Sequence, residues 1–175
     1  MITESGLTGS VARDRQTTEV SRLYLEGIIA GVIGAATIAI WFLILDMIYG
    51  RPLYTPTVLG TALFRRGEGL ALPENLPFSF EMTWMYTWVH GLAFCVIGGV
   101  ASRLIALAER NLNVGFGILL FFVFFEFGFV AAASLFAEPV LHALAWPAVL
   151  VGNLLAAATM ALYFWRRHPN LTIRP

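Results

Sequence analysis

The stretch Gly27-Ile28-Ile29-Ala30-Gly31-Val32-Ile33-Gly34-Ala35-Ala36-Thr37-Ile38-Ala39-Ile40-Trp41-Phe42-Leu43-Ile44-Leu45-Asp46 carries no charge before its last residue. It belongs to an apolar run from about Leu23 to Tyr49, long enough for a helix to cross a hydrocarbon core of about 30 Å. Gly50 supplies a helix-ending residue, and Pro52 prevents continuation. Gly27, Gly31, Ala35 and Ala39 recur every four residues. Such a ridge lets another helix approach closely, and on its own argues only for packing. Asp46 lies seven positions past Ala39, on nearly the same face, so it is expected to point into a bundle and not at lipid.

Three more apolar blocks follow, and the expected spans are about 23–49, 82–107, 114–136 and 140–165. The fold class predicted is an all-α integral membrane protein, a four-transmembrane-helix bundle with a short amphipathic helix in the first outer loop. The start of the fourth span has two readings. Pro147 is a good first helical residue. Pro139 is an equal candidate, with a kink at Pro147 as its consequence. In the loop, Thr55 is expected to cap a helix with Pro56 in its first turn, Arg65 and Arg66 in its last, and Gly67 as its stop. Val58, Leu59, Ala62 and Leu63 would share its apolar face, on the outer membrane surface or across the bundle. Residues 1–20, polar and without an apolar run, read as a disordered cytoplasmic tail. Residues 21–168 form the membrane domain, and His168-Pro169 opens a second tail over 169–175.

Composition agrees with spans. Of 175 residues, 58% are hydrophobic and 13% charged, against about 25% charged in soluble domains. Mean hydropathy is +0.76. All eleven basic residues are Arg, balanced by eleven acids and scattered along the chain, so no basic nucleic-acid face is visible. Cys95 is the single cysteine, which excludes an intramolecular disulfide and argues against a cysteine metal site. With the N-terminus inside, eight Arg fall on inner segments and three (Arg51, Arg65, Arg66) on outer ones. This favours both termini in the cytoplasm of a multi-pass cell-membrane protein. Trp84, Trp88 and Trp146 near one boundary and Tyr163 and Trp165 near the other fit an aromatic belt.

Each span offers a polar candidate: Asp46, His90, Glu126, and His142 or Asn153. Glu126 stands inside Phe121-Phe122-Val123-Phe124-Phe125-Glu126-Phe127-Gly128-Phe129. An ionised carboxylate at such a place costs about 2.5–3.5 kcal/mol or more, so it is expected to be neutral and partnered, His90 having the nearest estimated depth. Together the five residues outline a candidate polar pocket toward the outer face. A transition metal on His90, Glu126 and His142 suits imidazole and carboxylate donors, although the Glu-x-x-His signature of di-iron bundles is absent. Haem ligation by His90 or His142 is a second chemistry, and a proton or ion path through Glu126 a third. No hydrolase, kinase or nucleotide-binding motif is present. The reading favoured is non-enzymatic: an accessory subunit or ligand-binding bundle in the lipid bilayer, within a homo-oligomer or a larger membrane complex. A metal- or haem-dependent redox enzyme is the alternative, and a small transporter the third class.

Overall fold

The computed structural model describes residues 4–66, 76–110 and 146–168. These residues form four helices and no strand: α1 (Glu4–Ile48), α2 (Tyr54–Phe64), α3 (Phe80–Arg110) and α4 (Trp146–Arg167). Three stretches, Val20–Ile48, Phe80–Leu107 and Pro147–Arg167, are long and apolar enough to cross a membrane. The predicted third span with Glu126, and the stretch after it with Pro139 and His142, lie outside the described residues.

α1 begins at Glu4, inside the segment read from sequence as a disordered tail. Helix nucleation is the unfavourable step and propagation is cheap. The apolar run supplies the nucleus, and no proline interrupts residues 4–48. Its C-terminus ends as expected. Gly50 has φ +70°, Arg51 N–H donates to the Asp46 carbonyl at 2.8 Å, and Gly50 N–H donates to Met47 at 3.0 Å. This pair of bonds around a left-handed residue is the Schellman arrangement, which satisfies the last carbonyls of the helix.

Among the described residues α1 is the central helix, and α3 runs antiparallel along it. Steps of four down α3 meet steps of four up α1. Ser102 Oγ donates to the Leu23 carbonyl at 2.8 Å, Gly98 and Gly99 lie on Gly27, Phe94 and Cys95 lie on Gly31, and His90 reaches Ala35. A Cβ on Gly27 would stand 2.6 Å from the Gly99 Cα, and one on Gly31 would strike the Phe94 carbonyl oxygen. The two backbones are therefore in contact, and only glycine fits between them.

α4 lies on another side of α1, also antiparallel. Trp41 Nε1 donates to the Ala148 carbonyl at 2.9 Å, the Thr37 and Thr159 hydroxyls meet at 3.1 Å, and Met160 Sδ fills the space beside Gly34. Ala30, Met160 and Phe164 form the small core, with Phe94, Ile97, Ala101 and Ile105 of α3 packed against it. Pro147 occupies the first turn of α4, where its missing N–H has no intrahelical acceptor to lose. Outward-facing side chains are apolar: Ile40, Ile48, Leu92, Val96 and Trp165 are all exposed. Such a surface belongs in lipid or against another protein.

The seam sets an expectation. Gly31→Ala and Gly98→Ala each force the helices apart and lower stability by about 1–3 kcal/mol. Gly91→Ala, whose Cβ would meet no atom of the described residues within 4 Å, is neutral or slightly stabilising. Thermal unfolding of the purified protein in one detergent measures the difference. Equal losses at all three positions would place the close approach elsewhere.

Candidate functional site

Two clusters of polar side chains lie toward the two ends of the apolar stretch Val20–Ile48 of α1. At the α2 end, Asp46 is 5% exposed. Its Oδ2 accepts from Thr55 N–H at 2.8 Å, and its Oδ1 accepts from the Thr55 hydroxyl at 2.7 Å. The free N–H groups at a helix start want an acceptor, and the partial positive charge there favours an anion. Thr55 was expected to cap α2 with its own side chain. The helix instead starts at Tyr54 after Leu53, which makes no side-chain cap, and the capping anion comes from α1. Leu53 has φ 63°, left-handed backbone that costs a non-glycine residue about 1–2 kcal/mol. The Asp46 contacts offset part of that strain.

Further threonines dock α2 on α3. The Thr57 hydroxyl donates to the Leu53 carbonyl at 2.8 Å and lies 3.0 Å from the Thr83 hydroxyl. Its one proton is engaged, so Thr83 is the donor. Gly60 sits directly on the Met82 backbone. The buried face of α2 is thus Thr55, Thr57, Val58, Gly60 and Thr61, while Leu63, expected on the apolar face, is exposed. α2 ends at Phe64, and Arg66 takes the left-handed position (φ 49°) one residue before the glycine expected to stop it. Arg65 reaches Glu81 of α3 at 3.6 Å across an exposed gap. At this corner lies a cavity of about 420 Å³ lined by Arg51, Leu53, Tyr54, Thr57, Leu76 and Phe78. The Arg51 guanidinium lies over the Tyr54 ring at 4.2 Å. The volume is within the usual range for small-molecule clefts, and the lining suits an apolar body with an acceptor or anionic end.

His90 is half-buried in the α1–α3 seam, between the rings of Tyr86 (5.6 Å) and Phe94 (4.8 Å) of its own helix. Its Nε2 is 3.4 Å from the Ala35 carbonyl. A carbonyl only accepts, so Nε2 carries the proton, and Nδ1 is the nitrogen left for a ligand. Ala35 is eleven residues before Asp46, about 16 Å along the helix. Asp46 faces the interior, as expected from the ridge, and His90 does so too, but they serve separate contacts. Asn153 is half-buried on α4, next to the Gly152 that packs on Trp41. Glu126 and His142, the other two members of the proposed metal set, lie outside the described residues. Among the described residues no three acidic, histidine or cysteine side chains gather as metal ligands do.

At the opposite end is a cluster that sequence reasoning missed. Glu26, 7% exposed, lies 3.3 Å from His168 Nε2 and 3.9 Å from Arg22 Nε. His168, read from sequence as tail, therefore closes the end of α4 onto α1. A clue was available: Glu26 falls within the predicted first span, beside Gly27 of the ridge. Its partner stands 142 positions away, and no spacing rule connects them.

Comparisons with known proteins add no relative: no family model, curated protein or solved structure matches this chain.

The Asp46 cap has a measurable consequence. Asp46→Ala leaves the Thr55 N–H and hydroxyl unpaired, a loss of about 1–2 kcal/mol, and should speed amide exchange across Tyr54–Phe64. Asp46→Asn keeps an acceptor oxygen and should lose less. Unchanged exchange in Asp46→Ala would mean that α2 is held by α3 alone.

Proposed function

We propose that the chain is a non-enzymatic four-span membrane protein with both termini in the cytoplasm. In this reading it is an accessory subunit or ligand-binding bundle whose outer end carries the ligand pocket. The observation that carries this reading is the use of Asp46. Both its oxygens accept from Thr55, so the carboxylate at this end of α1 is engaged in fixing a helix and is not presented to a substrate. It makes the cavity beside Arg51 and Tyr54 the better ligand site than a pocket shared by Asp46, His90, Glu126, His142 and Asn153.

Two features support four spans and this orientation. α3 and α4 both run antiparallel to α1, so the chain leaves Arg110 at one end of the bundle and re-enters at Trp146 at the other. Val114–Phe136 is the apolar run between them with the length to cross. The end that holds Glu26 and His168 also carries Arg22, Arg103, Arg166 and Arg167, while the α2 end carries Arg51, Arg65 and Arg66. The richer side is expected in the cytoplasm. Exposed Trp84 and Trp88 at the α2 end and Trp165 at the other suit two membrane interfaces.

Reporter fusions at each terminus should both report the cytoplasm; an external C-terminus overturns this orientation, and termini on opposite sides rule out four spans. The functional class is tested on purified protein by metal analysis and an optical spectrum. Neither a stoichiometric metal nor a Soret band is expected. Either one would replace this reading with the metal- or haem-dependent enzyme using His90, Glu126 and His142.

A further inference from the structure

α3 presents two different sides. Phe94, Ile97, Ala101 and Ile105 pack against the core shared with α4. At about 100° per residue, Leu92, Val96, Gly99, Val100 and Arg103 fall on the opposite side. Together with Tyr24 and Ile28 of α1 they line a groove of about 620 Å³ along the other flank of the seam. The lining is aliphatic except at one end, where Arg103 lies with its guanidinium carbon 4.7 Å from the centre of the Tyr24 ring. Arg103 Nη2 donates to the Tyr24 hydroxyl at 2.5 Å. Among the described residues no carboxylate pairs with Arg103. A guanidinium has five N–H donors in a planar fork, and one bond to Tyr24 leaves the others for an anion.

The dimensions match one class of occupant. From Leu92 to Arg103 is eleven residues, about 16 Å of helix, and half of a hydrocarbon core is about 15 Å. An acyl chain that fills the groove from its midplane end reaches interface depth where Arg103 stands. Gly99 forms part of the floor, and its missing side chain leaves that floor open: a Cβ there would meet no atom of the described residues within 4 Å. We propose that this groove is a binding site for one anionic phospholipid of the leaflet on the Glu26–His168 side, its chain between α1 and α3 and its phosphate on Arg103. The Tyr24 ring holds the guanidinium at the groove mouth, and the pairing of phosphate with guanidinium selects anionic over zwitterionic headgroups. The site does not depend on which way the bundle is oriented, so it stands or falls apart from the proposed topology.

The test is lipid retention by full-length protein taken from bilayers of equal phosphatidylglycerol and phosphatidylcholine with identical chains, read by native mass spectrometry. One retained phosphatidylglycerol per chain is expected, enriched about fivefold over phosphatidylcholine. Arg103→Gln should remove the enrichment and Arg103→Lys should keep part of it. Gly99→Leu, which fills the groove from its floor, should abolish retention of either lipid while leaving the melting temperature unchanged. Equal retention of the two lipids by the wild type, or undiminished enrichment in Arg103→Gln, overturns the proposal. So does a large drop in the melting temperature of Gly99→Leu, because the groove would then be filled by protein, either another segment or a second copy.

Discussion

Contact between the backbones of α1 and α3 at Gly27, Gly31 and Gly98 is the constraint from which the rest of the arrangement follows. In lipid there is little hydrophobic gain in bringing two apolar helices together, so association rests on close packing and interhelical hydrogen bonds. With no side chain in between, the register is set to within a residue. Ser102 then meets the Leu23 carbonyl and His90 meets Ala35. A shift of one position would turn the glycines away and bring Cβ atoms into backbone. Holding α3 in this way also delivers Met82 and Thr83 to the place where α2 must dock.

Around that seam, polar side chains work as fasteners between helices that are otherwise smooth. Asp46 ties α1 to α2, Thr57 and Thr83 tie α2 to α3, Trp41 and Thr37 tie α1 to α4, and Glu26 with His168 closes the far end. The aspartate and the threonines among them are short side chains on rigid helices, so little rotamer freedom is lost in forming their bonds. Glu26 differs, being a longer acid buried between two basic partners. Removing His168 would leave a buried polar side chain short of a partner, which costs more than the bond itself contributes.

Much of this was legible in the residues. The apolar blocks revealed the three long helices, Gly50 marked the stop of α1, and the small-residue ridge correctly turned Asp46 inward. What failed had local reasons. Thr55 looks like an N-cap because it precedes Pro56, yet the capping oxygens come from a residue nine positions earlier, brought back by the tight turn at Gly50. The polar composition of residues 1–20 suggested disorder, but an adjoining long helix can propagate through such a segment. Glu26 and His168 were invisible as a pair, since only the antiparallel packing of α1 and α4 makes them neighbours. The sequence grouped His90 and Asp46 in one candidate pocket, whereas they lie on different contacts about three turns apart.

The separations of the bonded pairs also read as a timetable. The Asp46–Thr55 bond spans nine residues, Thr57–Thr83 spans 26, Leu23–Ser102 spans 79 and Glu26–His168 spans 142. On a ribosome that adds about 5–20 residues per second, the acid at the end of α1 acquires its partner almost as soon as it emerges. Glu26 is made earlier than Asp46 and waits until nearly the whole chain exists. During that interval, roughly 7–30 s, the acid has Arg22 of its own helix beside it. The nascent first helix therefore carries its own provisional counter-ion, and completion of the C-terminal end converts a local pair into a lock on the finished bundle.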